Sequence, residues 1–129
     1  AGWQRTGATF AAWSSQPAAE FAPVCRFYGN PAVDGNGRRL GPNSHFYTIE
    51  PAECEQVRQD PGWLHEGTAF HARRLQAGAC PAPLRPLYRA YNNGFPTKDS
   101  NPRLATDRAL LEALQPAGWT IEGAVMCVP

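Results

Sequence analysis

The sequence is poor in lysine and has no long apolar run, and each shortage excludes a class of protein. Its 129 residues include a single lysine, Lys98, among twelve basic residues, and the formal net charge is +1. The basic residues are scattered, so the sequence lacks the positive patch that binding to nucleic acid requires. No apolar stretch approaches the roughly 18 residues of a membrane-spanning helix, so no membrane span is predicted.

Common catalytic motifs are absent as well. The sequence contains no GxSxG, no HExxH and no phosphate-binding loop motif. Its serines lie in predicted linkers or loops without a base beside them, and no two carboxylates stand out as a general acid and base. We therefore expect no cofactor and no metal, and an enzyme is the less favoured interpretation.

The four cysteines predict two disulfides rather than a metal site. They are Cys25, Cys54, Cys80 and Cys127, with no CxxC pair and no histidine at metal-ligand spacing. An even number of cysteines and a single lysine fit an oxidising compartment, so we expect an extracellular or periplasmic location. Three pairings are open. We prefer Cys54–Cys80 with Cys25–Cys127, because an antiparallel return after a helix would bring residues 54 and 80 together.

The segment VDGNGRRLGPN at 33–43 has part of the pattern of a calcium-binding loop. Asp34 and Asn36 alternate with glycines, as the first ligands of an EF-hand do. The twelfth position, counted from Asp34, is His45 instead of the acid that supplies two ligand oxygens. Calcium is therefore the less favoured interpretation of this loop.

One nine-residue phrase occurs three times in the chain, which indicates internal repetition. The copies are GWQRTGATF at 2–10, GWLHEGTAF at 62–70 and GWTIEGAVM at 118–126. A second phrase, PVCRFYGN at 23–30, corresponds to PLYRAYNN at 86–93. We predict a single domain over residues 1–129 with three parts, which are a partial unit at 1–22, a unit at 23–85 and a unit at 86–129.

Residues that recur in the phrase are expected to serve the fold, because similar units need the same packing residue in every copy. The recurring aromatic residues, which we assign to the core, are Trp3, Trp63, Trp119, Phe10 and Phe70. The recurring glycines, at 7, 67 and 123, are expected to have positive φ or a close backbone neighbour. The recurring acids, Glu66 and Glu122, are expected to accept backbone hydrogen bonds in a turn.

Local signals assign secondary structure within each unit. Alternating side chains in CRFY, YRAY and SHFYT predict half-buried strands. Pro51 suits the first position of one helix, and Asp107 caps another. The fold class we predict is α+β, with mostly short antiparallel strands in pseudo-repeated units that each carry one short helix and are joined by disulfides.

A group of aromatic and basic residues indicates a binding surface. Strand alternation puts Arg26 and Tyr28 on one face of their strand, and His45 and Tyr47 on one face of theirs. Tyrosine and arginine are favoured at recognition surfaces, because they combine contact area with directed hydrogen-bond donors. The predicted ligand-binding residues are Arg26, Tyr28, His45, Tyr47, Arg89 and Tyr91.

The order of several phrases resembles a known family. VCRFYG, NSHFYT, GW-x-x-EG-x-A-F, Y-R-x-YNNG and EG-x-VMC-x-P follow one another within residues 2–129. They are similar to a secreted bacterial repeat domain of unknown function, often C-terminal in proteobacterial extracellular proteins. The resemblance implies an extracellular accessory module of three units, the first incomplete here, with no catalytic residues to transfer. The last unit departs from the pattern at Pro102, Leu104 and Ala105.

The leading functional hypothesis is a noncatalytic secreted accessory module that binds cell-surface or polymeric carbohydrate. Its expected partners are a glycan or cell-wall polymer and a parent enzyme domain. One alternative is a small secreted hydrolase that uses His45 with Glu50 or Glu66. Another is a structural or assembly module of a larger extracellular protein, packed against a parent enzyme or against copies of itself.

Overall fold

Strands dominate residues 9–129, which are the residues that the structure, a computed structural model, describes. In chain order the elements are β1 (Phe21–Gly29), β2 (His45–Thr48), α1 (Pro51–Arg58), β3 (Trp63–Arg73), β4 (Arg85–Tyr91), β5 (Pro102–Ala105), α2 (Arg108–Glu112) and β6 (Thr120–Val128). Short 3-10 helices lie at Phe95–Thr97 and Gln115–Ala117.

The six strands form one curled antiparallel sheet in the order β2-β1-β3-β6-β4-β5. In one half β1 lies between β2 and β3, and in the other half β4 lies between β5 and β6. The halves meet where Arg73 of β3 lies opposite Cys127 of β6. The matching order of the two halves agrees with an internal repeat, which itself stays a prediction.

The predicted α+β class, with one helix in each unit, is wrong, because the fold is β-rich. Helix α1 has eight residues and α2 only five, whereas β3 alone has eleven. Each helix contributes one buried side chain, Cys54 from α1 and Leu111 from α2. A helix this short depends on tertiary packing for its stability. The two helices therefore accompany the sheet and do not form a layer of their own.

The core lies in two clusters of apolar side chains. The larger contains Val24, Ile49, Ala72, Leu87, Met126 and Val128, and the smaller contains Ala90, Ala105 and Leu111. Phe10 and Phe70, whose ring centroids are 5.7 Å apart, pack against the larger cluster, and Trp119 packs against the smaller. These three residues pack against the core as predicted, but they are themselves only partly buried. Trp3 lies outside the described residues, and Trp63 belongs to neither cluster.

Two disulfides are present, as predicted, but the preferred pairing is wrong. The bonds join Cys25 to Cys54 and Cys80 to Cys127. Helix α1 follows β2 directly, and β2 pairs with β1, so Cys54 comes back to Cys25 on β1. The antiparallel return after the helix is β3 itself, and Cys80 lies beyond its end, where its sulfur is 3.8 Å from the Met126 carbonyl oxygen of β6. The neighbour of Cys80 is therefore the last strand.

Two glycines of the repeated phrase have the predicted positive φ. The value is +90° at Gly67 and +94° at Gly123, while the glycine at position 7 lies outside the described residues. Gly67 lies in a β-bulge of β3, since Phe27 pairs with His65 but Cys25 pairs with Thr68. Two residues, Glu66 and Gly67, thus stand opposite Arg26, and the left-handed glycine permits the extra residue.

We expect Gly67→Ala to lower the free energy of unfolding by about 1 to 2 kcal/mol, because an L-residue is strained at positive φ. A methyl group at this position would meet no atom within 4 Å, so backbone strain is the only cost expected. Gly35→Ala is the matched control, since Gly35 is equally open but lacks a positive φ, and we expect it to be unchanged or slightly stabilised. Urea unfolding measures both variants. Equal stabilities would contradict the assignment of the bulge.

Candidate functional site

Four of the six predicted site residues share one face of the sheet, which we call the β1–β2 face: Arg26, Tyr28, His45 and Tyr47. Arg26 lies directly opposite Tyr47 across the strand pair, and Tyr28 lies opposite His45. Because alternate side chains of a strand point to the same side, this register brings all four side chains together. The predicted strand faces are therefore confirmed.

Three rings of the β1–β2 face form a row. The ring centroids of Tyr28 and His45 are 4.9 Å apart, and those of His45 and Tyr47 are 6.3 Å apart and nearly parallel. The guanidinium of Arg39 lies 5.9 Å from the centre of the Tyr28 ring, and the Tyr28 hydroxyl donates to Oδ1 of Asn43. Loop residues thus hold one end of the row in place.

Glu66 joins the β1–β2 face from the neighbouring strand, where the bulge of β3 directs its side chain. Its Oε1 atom lies 3.2 Å from Nε of Arg26 and 3.3 Å from Nε2 of His45. The sequence interpretation assigned Glu66 to a turn and named it beside His45 only in the hydrolase alternative, so it left Glu66 out of the predicted binding residues. The sequence contains a signal for this pair, because Arg89 and Glu122 hold the positions in the second unit that Arg26 and Glu66 hold in the first. In the structure Arg89 and Glu122 also form an ion pair, at 2.9 Å.

The β1–β2 face borders an open cavity of about 520 Å³. This volume lies within the usual range of sites for small molecules. Arg26, Tyr47 and Arg89 supply its polar lining, and Phe10, Phe70 and Leu104 supply much of its apolar lining. The cavity thus combines apolar contact area with hydrogen-bond donors.

Tyr47 is half-buried beside this cavity. Burial raises the pKa of its hydroxyl, the charge of Arg26 acts in the opposite direction, and Glu66 adds to the rise. Its ring packs on that of Phe70, with the centroids 6.1 Å apart. The hydroxyl therefore stays protonated at neutral pH and can donate a hydrogen bond to a ligand.

Arg89 reaches the same cavity, but protein atoms already bind its guanidinium. Its Nε and Nη2 atoms donate to the two carboxylate oxygens of Glu122, and Nη1 donates to Glu53 and to the carbonyl of Tyr47. Burial acts to lower the pKa of Arg89, but its bonds to Glu122 and Glu53 outweigh burial and raise it. These bonds make Arg89 a link between the two halves of the sheet.

Tyr91 does not join the other predicted site residues. Its hydroxyl accepts from the backbone of Phe95 at 2.9 Å and lies 3.3 Å from Oγ of Ser100. It lines a separate cleft of about 180 Å³ together with Trp63 and Phe95. Trp63, which the sequence assigned to the core, thus stands on a surface cleft, where its ring packs near Phe46.

The loop that has part of a calcium-binding pattern is closed by its own hydrogen bonds. Oδ1 of Asp34 accepts from the backbone N–H groups of Arg38 and Asn36. These two bonds, that of Arg38 first, lower the pKa of Asp34. Lys98 lies 4.0 Å from the same carboxylate. Asp34 therefore has a structural role in shaping the turn.

Among residues 9–129, one group brings three potential metal ligands together, and it consists of Cys25, Cys54 and His65. Cys25 and Cys54 form a disulfide. Because thiolates are the form of cysteine that binds metal, these sulfurs are not available as ligands while the bond is intact.

These features define the class of the protein, which is an antiparallel β fold with two disulfides and a half-open aromatic face. The chain belongs to the family described as "Domain of unknown function (DUF5648)", whose model matches residues 1–129. This membership confirms that a domain of unknown function spans the chain, as the resemblance implied, while the repeat motifs and the C-terminal placement stay predictions. No curated protein and no solved structure matches the chain. Within the described residues, no helix has the length and apolar character needed to cross a membrane.

Proposed function

We propose that this protein is a noncatalytic accessory module, secreted to the cell exterior or the periplasm, that binds polymeric or cell-surface carbohydrate on its β1–β2 face. The observation that carries the proposal is the convergence of Arg26, Tyr28, His45 and Tyr47 on one face of two strands, where Arg26 and Tyr47 also line an open cavity. A parent enzyme domain is the partner that such a module would direct to its substrate.

The chemistry of the face supports a sugar ligand. A sugar ring has apolar C–H surfaces and many hydroxyl groups, so it needs apolar contact area and directed donors at once. Aromatic rings supply the area, and the Tyr47 hydroxyl and the guanidinium of Arg26 supply donors at the edge of the same cavity.

The two disulfides support the proposed location. Disulfides persist in oxidising compartments, and both bonds join segments far apart in the chain, with separations of 29 and 47 residues. Such links constrain the unfolded chain, as expected of a protein that works outside the reducing cytosol.

We expect Tyr28→Ala and Tyr47→Ala each to weaken binding to the preferred glycan by about tenfold, which corresponds to about 1.4 kcal/mol, because each removes a ring from the face. A glycan array identifies the ligand, and titration calorimetry then gives the affinities. Tyr91→Ala is the matched control, since it removes a tyrosine from the separate cleft, and near-UV circular dichroism shows that each variant is folded. Unchanged affinity in both face variants would place the binding site elsewhere.

The hydrolase alternative rests on one contact, the 3.3 Å approach of His45 Nε2 to Glu66 Oε1. A hydrolase would also need a nucleophile or an activated water beside this pair. Ser44, next to His45 in the chain, is buried, and its hydroxyl donates to the carbonyl of Ser100. One assay distinguishes the two functions. A hydrolase releases sugar products and loses this activity in His45→Ala, whereas a binding module releases no products.

A further inference from the structure

Two arginines occupy matching places in the two halves of the sheet. Arg26 lies on β1, the middle strand of one half, and Arg89 lies on β4, the middle strand of the other. Each is paired with a glutamate of the adjoining strand, Glu66 or Glu122. The bulge geometry also matches, because Arg89 pairs with Gly123 while Ala90 pairs with Ile121.

The surroundings of the two arginines differ. The side chain of Arg89 is 9% exposed and binds two carboxylates and one carbonyl oxygen. The side chain of Arg26 is 41% exposed and has a single carboxylate oxygen near it, which it shares with His45. Compared with Arg89, Arg26 lacks the second acid that Glu53 provides.

The donors of Arg26 are poorly satisfied within residues 9–129. Its buried Nε atom is close to Glu66, but no hydrogen bond of good geometry forms there. No hydrogen bond within residues 9–129 involves its Nη1 or Nη2 atoms. A guanidinium has five N–H donors in a fixed planar arrangement that matches a carboxylate, so Arg26 has donors to offer to a ligand.

The cavity next to Arg26 favours an anion that also carries apolar surface. The charged side chains that line it in the described structure are Arg26 and Arg89, and because Glu53 and Glu122 neutralise Arg89, the cation available to a ligand is Arg26, whose one nearby acid also contacts His45. The rings of Phe10 and Phe70 and the side chain of Leu104 add an apolar wall. A bare inorganic anion would leave that wall without contacts, whereas a sugar ring that bears a carboxylate would use both features.

We propose that the ligand of the β1–β2 face is an acidic glycan, with a uronic acid whose carboxylate is bound by Arg26 and whose ring packs in the cavity. This inference rests on the proposed function and narrows its ligand class. A charge-assisted bond between guanidinium and carboxylate is about twice as strong as a neutral one, so the charge of the ligand should dominate selectivity.

The test compares an oligogalacturonate with its methyl ester, which has the same sugar rings but no charge. We expect the wild-type protein to bind the acid about tenfold more tightly than the ester in titration calorimetry. In Arg26→Gln this preference should fall to about twofold or less, since the variant keeps polarity but loses the charge. Arg26→Lys keeps the charge without the planar arrangement of donors and should lie between the two.

Each outcome distinguishes this inference from the proposed function. Equal binding of acid and ester by the wild-type protein overturns the inference but leaves a glycan-binding module in place. Binding of neither form, with no ligand on a glycan array, overturns both. Equally tight, Arg26-dependent binding of poly-glutamate shows that the surface takes acidic polypeptides and also overturns the inference. If Arg26→Gln fails to fold, the acid and ester affinities of Arg26→Lys and of the wild-type protein still test the inference.

Discussion

Removal of the Cys80–Cys127 disulfide, by Cys80→Ala together with Cys127→Ala, is expected to lower the free energy of unfolding by about 4 kcal/mol. The bond spans 47 residues, and chain-entropy arguments give a loop of that length a stabilisation of this size. Cys127 is fully buried on β6, the strand that pairs with β4 and meets β3. The unlinked chain thus loses a constraint at the centre of the sheet.

Urea unfolding of the double variant and of the wild-type protein measures this effect. Wild-type protein under reducing conditions is the control, because its loss should include that of the Cys25–Cys54 bond as well. Mass spectrometry of non-reduced peptides checks the pairing itself. A peptide that links Cys54 to Cys80 would refute the assigned connectivity, and a loss below about 1 kcal/mol would contradict the stabilisation expected of this bond.

The second large effect is expected for Arg89→Ala, with a loss of about 2 to 3 kcal/mol. Truncation leaves Glu53, Glu122 and the Tyr47 carbonyl without their shared donor in a place where the arginine is 9% exposed. Breaking a buried ion pair typically costs about 3 to 5 kcal/mol. Both carboxylates here are 36% exposed, so water recovers part of that loss.

Arg26→Ala is the matched control for Arg89→Ala, because the two arginines hold corresponding places but differ in burial. We expect Arg26→Ala to change stability by about 1 kcal/mol or less, since its ion pair with Glu66 is well exposed. Urea denaturation of the two variants, in the same buffer, gives the comparison. Equal losses would show that the Arg89 network does not join the two halves of the sheet as described.

Local features of the fold were predictable from the sequence. Alternation of side chains gave the faces of β1 and β2 correctly, because strand periodicity depends only on backbone geometry. Pro51 and Asp107 marked the helix starts, and the Asp107 side chain does accept a hydrogen bond from the backbone of Ala109. The lengths of the helices, and hence the fold class, depend on packing partners elsewhere in the chain, which local signals do not report.

The disulfide pairing required information that lies in the strand order. The interpretation paired Cys54 with Cys80 because it expected an antiparallel return after the helix to bring these two residues together. In the structure β3 runs for eleven residues along β1, so residue 80 falls past its end and next to β6. Nothing in the sequence around the cysteines fixes which strands become neighbours.

The candidate site was predictable only within a strand pair. The positions of Arg26, Tyr28, His45 and Tyr47 follow from alternation together with the register of β1 and β2. The place of Tyr91 in another cleft depends on the 3-10 helix at Phe95–Thr97, whose backbone binds the Tyr91 hydroxyl. The burial of Arg89 depends on contacts between the two halves, which pattern alone does not specify.

The most direct test of the β1–β2 face as a carbohydrate site is a nuclear magnetic resonance titration of the ¹⁵N-labelled protein. The ligand is the oligosaccharide that binds most tightly on an array of neutral and acidic glycans. We predict that the largest amide shift changes lie at residues 26–28, 45–47 and 66–70, with little change at 91–97. Changes centred on Trp63, Tyr91 and Phe95, or an array on which no glycan binds, would contradict the account.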